Sequence, residues 1–204
     1  MRALSLLVVA IAGLVALPAL AQNPPANPPV RIRGTIDKLD GHTLTVKSRD
    51  GQMLTVTLAD NVAVAYLVKQ TMADIKTGDY LASTGIKGTD GKIHAIEVRI
   101  FPEALRGAGE GQYPWDLKPD IVMTNATAGQ IVKSGDGNVV TVSYKGQQSD
   151  YVIDPDTPIF AYAQGDTSLL VPGAAVFIVA QKKDDGSLST ARVTVEKDGI
   201  KPPM

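Results

Sequence analysis

The sequence has no cysteine, only two histidines and one tryptophan, and no excess of positive charge. Without a thiol there is no cysteine nucleophile, zinc knuckle, iron–sulfur cluster or disulfide. With 20 Lys and Arg against 21 Asp and Glu, there is no basic surplus to release counterions from a nucleic acid. Aromatics are scarce at 5 %, but apolar residues reach 44 %, too many for a disordered chain. A packed globular protein stabilised by burial and hydrogen bonding is what remains.

The N-terminus reads as an address. Met1-Arg2 is a minimal positive region, Leu4–Leu17 is apolar apart from Ser5 and Gly13, and Ala19-Leu20-Ala21 is an A-x-A cleavage site. This is the pattern of a secretory signal peptide cleaved after Ala21. The apolar run falls short of the roughly 20 residues of a membrane-spanning helix. No cysteine follows it, so a lipoprotein anchor is excluded. The expected location is the bacterial periplasm, with no transmembrane segment in the mature chain. Residues 22–29 hold four prolines, which favour an extended stalk. Disulfides persist outside the cytoplasm, so an exported chain without one must be held by packing and hydrogen bonds alone.

The rest of the chain is a repeat. Gly34-Thr35-Ile36 matches Gly129-Gln130-Ile131, and Leu44-Thr45-Val46 matches Val140-Thr141-Val142. Gly78, Gly91 and Val98 fall on Gly173, Gly186 and Val193, an offset of 95. A repeat of this length implies a repeated structural unit. Within each copy apolar residues alternate, as in Leu54, Val56 and Leu58, which is strand periodicity. Six Asp-Gly dipeptides punctuate the runs, each a favoured hairpin turn. Strands are expected near 30–38, 43–48, 52–58, 62–68, 79–86 and 92–100. In the second copy they fall near 127–133, 138–144, 147–153, 157–162, 174–182 and 188–197. Thr71–Ile75 should form one helical turn capped by Thr71. The expected architecture is all-β: two tandem small OB-like barrels of about six short strands each. In outline, 1–21 is the signal peptide, 22–29 the stalk, 30–101 the first barrel, 102–126 a connector, 127–198 the second barrel and 199–204 a tail.

The connector departs from the pattern. It sets Phe101, Leu105, Tyr113, Trp115 and Leu117 among Gly107, Gly109 and Gly111, whereas a passive linker is polar and featureless. It reads either as a binding loop, with Arg106, Glu110 and Asp116 supplying charge and Tyr113 and Trp115 flat contact area, or as a strap whose Trp fills a groove between domains.

Other chemistry has thin support. His42 and His94 lie far apart in sequence, without metal-ligand spacing. Asp184-Asp185-Gly186 and Gly135-Asp136-Gly137-Asn138 do not fit a calcium loop. There is no G-x-S-x-G or H-E-x-x-H, and Gly107–Gly111 lacks the Lys-Ser/Thr of a phosphate loop. Asn125-Ala126-Thr127 matches a glycosylation acceptor by chance in a bacterial chain. Nucleic-acid binding by an OB-like barrel is disfavoured by the charge.

The first copy, with Gly34-Thr35-Ile36, Thr43-Leu44-Thr45-Val46, Gly78-Asp79 and Asp90-Gly91, resembles an uncharacterised family of exported bacterial β-rich repeat domains. The second copy departs from it at Gly173-Ala174, and the connector through Pro114-Trp115-Asp116 resembles a two-copy subgroup. The resemblance implies a β fold and export and carries no catalytic residue. The leading expectation is a non-enzymatic binding or scaffolding module without cofactor or metal. It would use Arg106, Glu110, Tyr113, Trp115 and Asp116 in the cleft between barrels, to bind an envelope protein or small ligand. The alternatives are an accessory subunit of an envelope transport or redox system, and a hydrolase with an unrecognised Asp/Glu/His site.

Overall fold

The computed structural model describes residues 27–134 and 137–202, so the signal-peptide region and most of the stalk lie outside the described residues. The protein is all-β. β1 (Val30–Asp40) and β2 (Thr43–Ser48) form a hairpin across Gly41-His42, followed by the long β3 (Met53–Gln70). A 3-10 turn at Met72–Asp74 leads to β4 (Tyr80–Lys87) and β5 (Ile93–Ile100). Another at Glu103–Leu105 leads to a short β6 (Gly111–Pro114), a strand absent from the sequence expectation. β7 (Ile121–Ser134), β8 (Gly137–Tyr144), β9 (Gln147–Ile153), β10 (Ile159–Gln164), β11 (Ala175–Lys182) and β12 (Leu188–Val195) complete the chain.

Local chemistry explains much of this. The glycine of every Asp-Gly pair has positive φ, from 55° at Gly41 to 152° at Gly137. A side chain would resist that conformation, and at Gly41, Gly51, Gly91 and Gly186 the pair sits where one strand reverses into the next. The expected turn at Thr71 is present. It is held by the Asp74 carboxylate, which accepts from the Thr71 N–H and hydroxyl at 2.8 and 2.7 Å. β3 runs through the gap expected near 59–61, where its pairing with β12 slips: Thr190 faces Leu58, while Arg192 faces Ala63.

The strand order is not that of two tandem units. β1, β2, β3, β12 and β11 pair in a closed five-stranded barrel, three strands from the first copy and two from the second. β7, β8, β9, β5 and β4 pair in the same sequence, with β9 meeting β5 over two residues, Ile93↔Tyr151 and His94↔Val152. β10 joins the two sets by pairing with both β3 and β5. The first three strands of each copy therefore pair with the last two of the other, correcting the expectation that 30–101 and 127–198 each close on themselves.

The cores reflect the exchange. One contains Ile32, Leu44, Val46 and Val56 together with Val176, Ile178 and Val193. The other contains Leu81, Ile93 and Val98 together with Val140, Tyr151 and Ile153. Offset by 95, matching strands present the same inward face, so the swapped pairing buries the same alternation that a tandem pairing would have buried. The short segment between β3, ending at Gln70, and β4, starting at Tyr80, carries the chain from one strand set to the other.

Candidate site at the strand junction

The connector is docked. Trp115 is 7 % exposed and packs with Ala82, Ile121 and Met123, with Phe177 of β11 at 6.4 Å. Its ring lies under two guanidinium groups of β1, Arg31 at 4.5 Å and Arg33 at 5.1 Å. Such contacts contribute about 0.5–2 kcal/mol each. Asp116 accepts both ends of the Arg33 guanidinium, at 2.9 and 3.0 Å, and the Arg33 side chain is buried. Burial pushes the Asp116 carboxyl up, but the Arg33 hydrogen bonds and charge outweigh it and hold the group below its ordinary value. The Trp115 indole nitrogen is buried without a hydrogen-bond partner among the described residues, so the ring is held by packing and cations.

The other expected site residues act elsewhere on the same strap. Arg106 folds onto Glu103 at 2.5 Å and onto the Gly78 carbonyl at 2.9 Å. Glu110 accepts the Lys145 N–H at 2.9 Å, latching the connector to the β8–β9 turn. The Tyr113 hydroxyl accepts from Asn125 Nδ2 at 3.3 Å, and burial pushes its pKa up. Tyr80 donates to the Ala108 carbonyl and is pushed up to about 12, chiefly by burial. The structure thus joins Tyr113, Trp115 and Asp116 in one cluster and leaves Arg106 and Glu110 apart from it. All five make contacts within the chain. Asn125, the apparent glycosylation acceptor, is buried and bonded to the Ala108 carbonyl at 3.0 Å, out of reach of modification.

Beside the strap lies a groove. Two adjoining cavities, of about 390 and 270 Å³, share Leu105, Tyr162 and Arg192. Phe177 and Val179 line the first, and Ala63, Ala65, Pro102 and Ala163 the second. One wall is the connector's own Pro102–Leu105 segment. Behind the groove, Arg99 is buried, donates to the Tyr162 hydroxyl at 3.0 Å and pairs with Glu97 at 2.6 Å. Desolvation pulls its pKa down, but Tyr162 and Glu97 more than compensate and keep it charged. The guanidinium's Nη2 has no hydrogen-bond partner among the described residues.

Sequence reasoning missed Arg31, Arg33, Arg99, Tyr162 and Arg192. A usable signal was present: Arg31-x-Arg33 and Glu97-x-Arg99 place charges two apart, on one face of strands otherwise rich in apolar residues.

The histidines are separate from the groove. His94 Nε2 lies 3.4 Å from Asp90 Oδ1, and His42 Nδ1 lies 3.9 Å from Asp60, both histidines being well exposed. Asp90 is held below its ordinary value chiefly by the Lys92 N–H, against desolvation, with His94 adding to the effect. Asp90 also borders a polar cavity of about 530 Å³ with Lys87, Lys92, Ser149 and Asp150, whose lining does not include His94. The Ser149 hydroxyl is instead paired with Tyr144 at 3.0 Å. Among the described residues no three His, Asp or Glu side chains converge to hold a metal, and no helix is long and apolar enough to cross a membrane. No family model, curated protein or solved structure matches the chain.

Proposed function

We propose that the protein is a non-enzymatic binding module of the bacterial periplasm, built of two small barrels that exchange strands and working through the junction between them. The observation that carries this reading is the groove at that junction. Its lining is mostly apolar, its volume is that of small-molecule sites, and one wall comes from the connector, the segment the repeat does not explain. Arg106, Glu110, Tyr113, Trp115 and Asp116 serve it by holding that wall in place, so strap and binding loop are one device. The N-terminal sequence supports export.

The test is native mass spectrometry of the full chain expressed with its leader and purified from periplasm, compared with Leu105→Arg. Leu105 is partly exposed on the groove wall, so the variant should keep its fold by circular dichroism. A bound species carried by the wild type and lost from the variant supports the reading. Equal occupancy in both, or none in either, rejects the groove as the site.

A further inference from the structure

We infer that the groove takes a single-chain amphiphile ending in a carboxylate, its head on Arg192 and Tyr162 and its tail over Leu105, Ala63 and Ala163. This deepens the binding-module reading and rests on it. Three observations converge. First, among the described residues Arg192 is the only charged side chain lining either cavity. It is exposed, and its guanidinium has no ion-pair or hydrogen-bond partner among the described residues. Second, the Tyr162 hydroxyl oxygen already accepts from Arg99, so its own hydrogen is left to donate, and Tyr162 lines both cavities. A guanidinium and a polarised hydroxyl in an apolar surround favour one anionic group, because charge-assisted hydrogen bonds strengthen as water is excluded. Third, the repeat gives Arg192 no carboxylate of its own. At the offset of 95, Arg192 corresponds to Glu97 and Thr194 to Arg99. On the β4–β5 face the guanidinium has its carboxylate within the chain; on the β11–β12 face the guanidinium stands alone.

A tail suits the rest of the groove better than a peptide does. Of the strands that line it, β3, β11 and β12 each have partners on both sides, and β10 lacks one only along Tyr162–Gln164 on its β5 side, too short an edge for an added strand. The Thr190 hydroxyl is spent on the Val179 and Arg192 carbonyls. The remaining contact is apolar, and it grows with each methylene.

Isothermal titration of the full chain with sodium decanoate, sodium octanoate and uncharged decyl maltoside, all below their micellar concentrations, tests this. Decanoate should bind about tenfold more tightly than octanoate. Arg192→Glu should weaken decanoate by about tenfold or more without changing thermal unfolding. Decyl maltoside binding as tightly as decanoate, an unchanged affinity in Arg192→Glu, or no decanoate binding each overturns the proposal. If decanoate fails while a species is still lost from Leu105→Arg, only the ligand class is wrong. If both fail, the groove itself is not the site.

Discussion

The outer faces of β4–β5 and β11–β12 share one register but differ along part of their length. On the first, Ala82, Thr84 and Arg99 are almost fully buried. On the second, Thr194 is buried and Phe177 meets Trp115, but Val179 is 44 % exposed and Arg192 faces solvent. The strands do not cause the difference, since both pairs run antiparallel and send the same alternation inward. The segment of chain after each pair causes it. β5 runs into the connector, whose aromatics return over β4 and β7, with β6 pairing to β7 as it passes. β12 runs into a tight turn closed between Lys197 and Ile200. A repeat can therefore carry two different surfaces on one scaffold, because a face is completed by whatever covers it.

The strongest way to break this contrast is to remove the cover. Trp115→Ala takes a buried indole from between Arg31, Arg33 and Phe177. It should cost about 3–5 kcal/mol in guanidinium unfolding, as other buried Trp truncations do. A loss below about 1 kcal/mol would mean that the strap rests on the face without stabilising it.

The second test compares matched positions in the two copies. A Cβ at Gly34 would collide with the Lys47 carbonyl and approach Val46 Cγ1 to 2.8 Å. At Gly129 the nearest atom is the Thr141 carbonyl, at 3.1 Å. Gly34→Ala should lose about 2–3 kcal/mol and Gly129→Ala less than about 1 kcal/mol. Equal losses would show that the two hairpins are equally tight in solution.

The smallest effect concerns acid. Because the folded pKa of Asp116 is depressed, its contribution to stability is present above the unfolded value, about pH 4, and is lost as pH falls through the folded value. Its side chain is 44 % exposed, which limits the contribution to about 1 kcal/mol. Asp116→Asn should lower the urea midpoint at pH 6, and its gap to the wild type should narrow by pH 2.5. A constant gap at both values would show that the pair's charge is not what holds the strap.

Most strand positions were readable from alternation and Asp-Gly turns; β2 and β9 match their expected limits. β6 was not, because Gly-Gln-Tyr-Pro has no alternating pattern and is extended only by pairing with β7. Within the candidate site, Tyr113, Trp115 and Asp116 stood out by composition. Arg31, Arg33, Arg99, Tyr162 and Arg192 did not. Each sits in a regular strand and gains its role from residues remote in sequence, as Arg33 does from Asp116 and Arg99 from Tyr162.

By itself, then, the sequence determined the local matters: an all-β chain, a repeat offset by 95, where the strands reverse, and a connector too aromatic to be idle. These depend on period-two burial and on glycine's access to positive φ, both properties of neighbouring residues. Only the tertiary structure decided which copy supplies the last two strands of each five-strand set, since matching strands offer interchangeable inward faces. It alone also decided how far the connector covers each outer face, which arginine is buried with a carboxylate and which is left open.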